Sequence, residues 1–108
     1  MYIISRADLP PGLQAAHADH ADFEFSVQHP EVMRTWNKNS TYLILLSVSS
    51  YDELLDVLDI IVDSGAPHAV MIEPDLGNEH TAVAVGPHPV NAQFSHLPLQ
   101  GKELAMVT

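Results

Sequence analysis

The sequence predicts one α/β domain over residues 1–108, with elements in the order β-α-α-β-α-β-β. Three observations carry that expectation. Thr41–Val48 (TYLILLSV) holds a continuous apolar run, the pattern of a central strand covered on both faces. It leads into Ser50–Gly65, where apolar residues recur at helical spacing. Two further β-prone runs follow, and a strand–helix–strand unit implies a right-handed crossover with helices on the sheet faces.

The elements follow in order along the chain. Tyr2–Arg6 is a short β-prone run, stopped by the turn-forming cluster Asp8-Leu9-Pro10-Pro11-Gly12. Leu13 to Phe25 is alanine-rich (Ala15, Ala16, Ala18, Ala21), which favours helix and suits close packing on a sheet. Pro30 fits the first turn of a short second helix through Trp36, where a missing N–H costs nothing. Asn37 to Ser40 reads as a polar loop before the Thr41–Val48 strand. Ser50 with Glu53 has capping-box form, and Leu54, Val57, Leu58 and Ile61 make the buried stripe of the helix they open. Asp52, Asp56, Asp59 and Asp63 fall on the opposite face and read as solvated. Gly65 closes the helix. His68–Glu73 and Thr81–Gly86 are the remaining strands. Beyond them, Val90 to Ser95 is expected as a helical turn, with Leu97–Leu99 or Leu104–Val107 as a short edge strand.

Composition excludes several function classes. The chain has no cysteine, so it holds no disulfide scaffold, thiol nucleophile or cysteine-based zinc site. Its longest apolar runs are far short of the roughly 18 residues that a membrane span requires. The start, Met1-Tyr2-Ile3-Ile4-Ser5-Arg6, lacks the form of a signal peptide, so a soluble cytoplasmic protein is expected. Fourteen acids against four bases (Arg6, Arg34, Lys38, Lys102) give a formal net charge of −10. Nucleic-acid coating depends on many lysines and arginines displacing counterions, so general DNA binding is not expected, while contact with one phosphate stays open. His17 and His20 with Asp19 and Asp22 suggest a metal, but no further ligand sits at a diagnostic spacing and none is expected.

Specific residues then carry a resemblance. Gln14-Ala15-Ala16-His17-Ala18 opens the first helix, and Trp36 precedes a short polar loop and the Leu43–Val48 strand. Ser50 to Leu55 starts the next helix, Gly65-Ala66-Pro67 leads into the third strand, and Thr81 to Pro87 is a threonine-led strand ending in Gly-Pro. In this order the segments resemble the type-2 peptidyl-tRNA hydrolase family. The resemblance implies a four-stranded mixed sheet flanked by helices, often dimeric. It also implies hydrolysis of the ester between a peptide and tRNA without metal or organic cofactor. Pro10 stands where the family has a lysine, and the family's Asp-Ala-Gly after the third strand is replaced by Glu73-Pro74-Asp75.

Ester hydrolysis requires an activated water and a group to hold the developing oxyanion. The candidates are Asp75 as orienting or basic carboxylate, His17 as base or hydrogen-bond partner, and Gln14 and Thr81 as positioning groups. Asp75 is preferred to Glu73 as the acid because the strand is expected to end at Glu73. Gln14 and His17 are three apart and share a helix face. Arg6 and Glu73 are candidate substrate-binding residues. The alternative for His17 is a bond to a neighbouring loop that locks helix to sheet. The alternative for the whole chain is the same scaffold without catalysis, used as a protein-binding module. Trp36, Phe23 and Phe25 near short helices suggest a homodimer.

Overall fold

The computed structural model describes residues 1–40 and 42–101. Strand β1 (Tyr2–Arg6) is followed by helices α1 (Pro11–Gln28) and α2 (Pro30–Asn39). Strand β2 (Ile44–Val48), helix α3 (Tyr51–Ser64), and strands β3 (His68–Glu73) and β4 (Glu79–Val85) complete the expected order. One 3-10 turn, Pro74–Leu76, joins β3 to β4, and another covers Pro89–Phe94, where a helical turn was expected.

The four strands form one mixed sheet in the order β2-β1-β4-β3. β1 runs parallel to β2 and antiparallel to β4, and β3 runs antiparallel to β4. The interior strands are therefore β1 and β4, which corrects the expectation for Thr41–Val48. The strand it contains, β2, lies at the edge, and Thr41 lies outside the described residues. Continuous apolarity misled here because β2 has apolar neighbours without being interior. Leu46 and Val48 enter the core, whereas Leu45 is 36% and Leu43 44% exposed. The free side of β2 is met by residues 98–100: Ser47 N–H donates to the Pro98 carbonyl, and Gln100 N–H donates to that of Leu45. Leu99 thus forms a single antiparallel bridge to Leu46, the remnant of the expected edge strand at Leu97–Leu99. The other expectation, Leu104–Val107, lies outside the described residues.

Side chains alternate across each strand, so the sheet carries two cores. Ile4, Leu46, Val48, Val83 and Val85 pack with Leu54, Val57 and Ile61 of α3 and with Val90 and Phe94. Ile3, Ala69, Ala82 and Ala84 pack on the other face with Ala18, Ala21 and Phe25 of α1, backed by Val32, Met33 and Trp36 of α2. The small alanines let α1 approach the sheet. Phe25 is fully buried, so it belongs to this core and not to the surface expected of it. Phe23 is 63% exposed.

The α3 cap forms as the sequence indicated. Ser50 Oγ accepts from Glu53 N–H at 3.1 Å, and Gly65 ends the helix at φ 75°. The Glu53 carboxylate reaches back one residue further than a capping box requires, accepting from the Ser49 N–H and hydroxyl at 2.7 and 2.6 Å. Those bonds hold its carboxyl below the ordinary range. Asp52, Asp56, Asp59 and Asp63 are all exposed, as a solvated face should be. The second helix runs past Trp36 to Asn39, absorbing most of the expected loop.

Candidate functional site

Parallel strands bring their carboxyl ends together. Arg6, Val48 and Glu73 end β1, β2 and β3 at the same edge of the molecule where β4 begins at Glu79. Ligands of open α/β sheets settle at that end. Helix α1 starts there too, directly after β1, with Pro11 at its first position.

The buried residues of α1 are Gln14, His17, Ala18, Ala21 and Phe25. Their spacing is that of one core-facing stripe, so the stripe that packs the helix also carries two polar side chains inward at its start. Each finds a partner. His17 Nε2 lies 3.2 Å from Glu73 Oε2 at the end of β3, and the His17 side chain is 6% exposed. His17 Nδ1 is buried and has no hydrogen-bond partner among the described residues. Gln14 Nε2 donates to Ser5 Oγ at 3.0 Å, and Ser5 Oγ donates to Gln100 Oε1 at 3.2 Å.

Glu73, and not Asp75, therefore meets His17. The Asp75 side chain is exposed, and its backbone N–H donates to the other Glu73 oxygen at 3.0 Å. One carboxylate thus holds both the helix histidine and the 3-10 turn that follows β3. The strand does end at Glu73, as expected, but its last side chain still points toward α1.

Thr81 occupies an irregularity in β4. Met71 pairs with Ala82 and Ile72 with His80, so Thr81 is the extra residue of a β-bulge. It is fully buried, and its Oγ1 donates to the Met71 carbonyl at 3.4 Å. Among the described residues, no hydrogen bond joins it to His17 or Gln14.

Arg6 is committed within the protein. Its Nε and Nη2 donate to the two Asp8 oxygens at 3.0 and 2.7 Å. Its Nη1 donates to Glu79 Oε1 at 2.9 Å and to the His80 carbonyl at 3.2 Å, and the guanidinium sits 5.2 Å from the Tyr51 ring centroid. The bond to Asp8 raises the Arg6 pKa and lowers that of Asp8. The bidentate grip on Asp8, with the Nη1 bonds to Glu79 and His80, ties the β1–α1 loop to the start of β4.

Pro10 caps the start of α1 without a side-chain bond, and its carbonyl accepts from the Gln14 N–H at 2.9 Å. A side chain at position 10 therefore stands one helical turn from Gln14. Sequence reasoning missed Ser5, Asp8, Glu79 and Gln100. Ser5 left one signal, a small polar residue inside the apolar run of β1; Gln100 left none, because its role depends on a contact 95 residues away.

Among the described residues, no group of three or more histidine and acidic side chains is placed to hold a metal ion, and no helix is long and apolar enough to cross a membrane. No curated protein matches the chain. The family model for peptidyl-tRNA hydrolase PTH2 matches residues 1–99, nearly the whole of the described fold, and the chain belongs to that family.

Proposed function

We propose that this chain hydrolyses the ester joining a peptide to the 3′ end of tRNA, with His17 and Glu73 handling the proton. The observation that carries the reading is the buried imidazole, paired at Nε2 with a carboxylate and unpartnered at Nδ1 among the described residues. If Nε2–H donates to Glu73, Nδ1 is the unprotonated nitrogen, and the carboxylate fixes that tautomer. Substrate binding must first admit a water to that buried nitrogen; Nδ1 then takes its proton as the water oxygen attacks the ester carbonyl. The ester C–O bond breaks, and His17 returns the proton to the departing ribose oxygen. Gln14 and Thr81 act as positioning groups, and Asp75, exposed beside the pair, orients the attacking water. Arg6 serves as a tie between loop and strand. No cofactor enters this scheme. We place the protein in the cytoplasm as a homodimer.

A second reading, the same scaffold as a non-catalytic protein-binding module, draws support from Arg6. Its guanidinium already faces two carboxylates, and Pro10 supplies no replacement cation. Ester release from peptidyl-tRNA separates the two. His17→Ala and Glu73→Gln should lower the rate by roughly 100- to 10,000-fold, the usual contribution of general acid–base catalysis. Asp75→Asn should have a smaller effect. Pro10→Lys should raise the rate by about ten- to a hundredfold, the equivalent of one charge-assisted hydrogen bond in the transition state. No release by any folded variant would leave the binding module.

A further inference from the structure

A groove runs along the opposite flank of α1, between the helix and edge strand β2. Ile3, Ala15, Ala18, Leu43 and Leu45 line it with apolar surface, and Asp19, Asp22 and Gln100 supply its polar atoms. Its volume is about 150 Å³. A cavity of that size accepts a small aromatic ring, hence one long side chain.

Two carboxylates border this apolar surface. Neither forms an ion pair with a side chain among the described residues. Asp22 is half-buried and feels the Met1 amine, which donates to the Tyr42 carbonyl at 2.9 Å. Burial, and then repulsion from Asp19, raise the Asp22 pKa. A pair of acids beside an apolar channel suits a group with a hydrocarbon stem and a cationic head. Lysine and arginine side chains have that form.

We infer that the groove between α1 and β2 receives a lysine or arginine side chain from the peptide portion of the substrate, its stem on the apolar floor and its cation between Asp19 and Asp22. The assignment of that side chain to a peptidyl ester rests on the hydrolase reading above; the chemistry of the groove does not. Continuity supports the link. Gln100 lines the groove and accepts from Ser5, which in turn accepts from Gln14. The groove therefore adjoins the polar start of the α1 stripe. A chain of net charge −10 also repels acidic peptides at long range.

The test is methyl-detected NMR on the full chain, titrated with N-acetyl-Leu-Lys-Leu amide and its norleucine and glutamate counterparts. The lysine peptide should move the Ala15, Ala18, Leu43 and Leu45 methyls and bind about tenfold more tightly than the norleucine peptide. Asp19→Asn, at an exposed position that tolerates change, and Asp22→Asn should each reduce that preference, and the double variant should abolish it. Equal binding of lysine and norleucine peptides, or shifts confined elsewhere, would overturn the inference. So would movement of these methyls on dilution without peptide, which assigns the groove to a second copy. Contacts from residues 102–108 to the same methyls in the free protein would assign it to the chain's own terminus, with the same result. Ester release then separates the two readings. Lysine preference in binding without hydrolysis keeps the groove and removes the enzyme; hydrolysis indifferent to lysine does the reverse.

Discussion

Gln14 Nε2 and Ser5 Oγ meet at 3.0 Å beneath α1, and both residues are buried, at 6% and 0% exposure. The bond joins the first helix to the first strand at the level of the site. Ser5→Ala removes an acceptor and leaves the Gln14 amide buried with a donor unsatisfied, a cost of about 1–3 kcal/mol. Gln14→Leu removes the amide itself and should cost less once Ser5 is already alanine. Urea denaturation of both single variants and the double should give a coupling of roughly 0.5–3 kcal/mol, as for residues in contact. Additive losses would mean that the two side chains do not act as a unit.

Arg6 offers a second measurement. Arg6→Met keeps the stem but leaves Asp8 and Glu79 without their cation. Charge-assisted bonds contribute about 1.5–3 kcal/mol each, but both carboxylates are over a third exposed, so water recovers much of the loss. We expect a total near 2 kcal/mol, at the low end of that range. The pH dependence has a definite sign. Arg6 holds the folded Asp8 pKa below its unfolded value of about 3.9, so the contribution is present above that pH and is lost as pH falls through the folded value. Urea midpoints between pH 6 and 2 should therefore fall more steeply for wild type than for Asp8→Asn. Parallel curves would show that the pair adds nothing to acid stability.

The sequence made the elements legible and left their neighbours obscure, for physical reasons visible in particular residues. Ser50, Glu53 and Gly65 act through local bonds, so α3 was readable to within a residue of its ends. The Thr41–Val48 strand was readable as a strand but not as an edge, because apolar runs report burial and not pairing order. His17 and Gln14 were legible as a shared helix face, whereas the choice between Glu73 and Asp75 depended on which side of β3 its last residue faces. Asp8 and Glu79 reach Arg6 from positions 2 and 73 residues away, and only the folded chain brings them together. Long-range polar partners carry no periodicity from which to infer them.

Gly86 makes a prediction about packing. A Cβ built there would lie 2.9 Å from Phe25 Cζ and 3.0 Å from Pro67 Cγ. Phe25 is fully buried under α1, and the Gly86 N–H donates to the Pro67 carbonyl at 2.9 Å, so neither neighbour can withdraw freely. Gly86→Ala should lose about 1–3 kcal/mol in denaturant, the cost of overpacking a tight core. Combining it with Phe25→Leu should recover part of that loss, because the smaller ring position vacates the clash. No recovery would place the strain in the backbone and not in the Phe25 contact.

Asp22 gives the last prediction, and its sign is opposite to that of Asp8. Burial and the charge of Asp19 raise its folded pKa above the unfolded value. A carboxyl raised in this way favours the folded state at low pH, and that advantage disappears as pH rises through the folded value. At neutral pH the ionised group is a net liability, even with the Met1 amine nearby. Asp22→Asn should therefore raise the thermal midpoint at pH 7 and lose that advantage below about pH 3.9, where the unfolded carboxyl is itself protonated. Calorimetry at pH 3 and pH 7 is sufficient to test the crossover. A gain at pH 7 accompanied by loss of lysine-peptide binding would show an acid kept in the groove for its ligand at the expense of stability, a trade common at functional positions. A destabilised variant at pH 7 would show instead that the Met1 amine, and not burial, dominates the surroundings of Asp22.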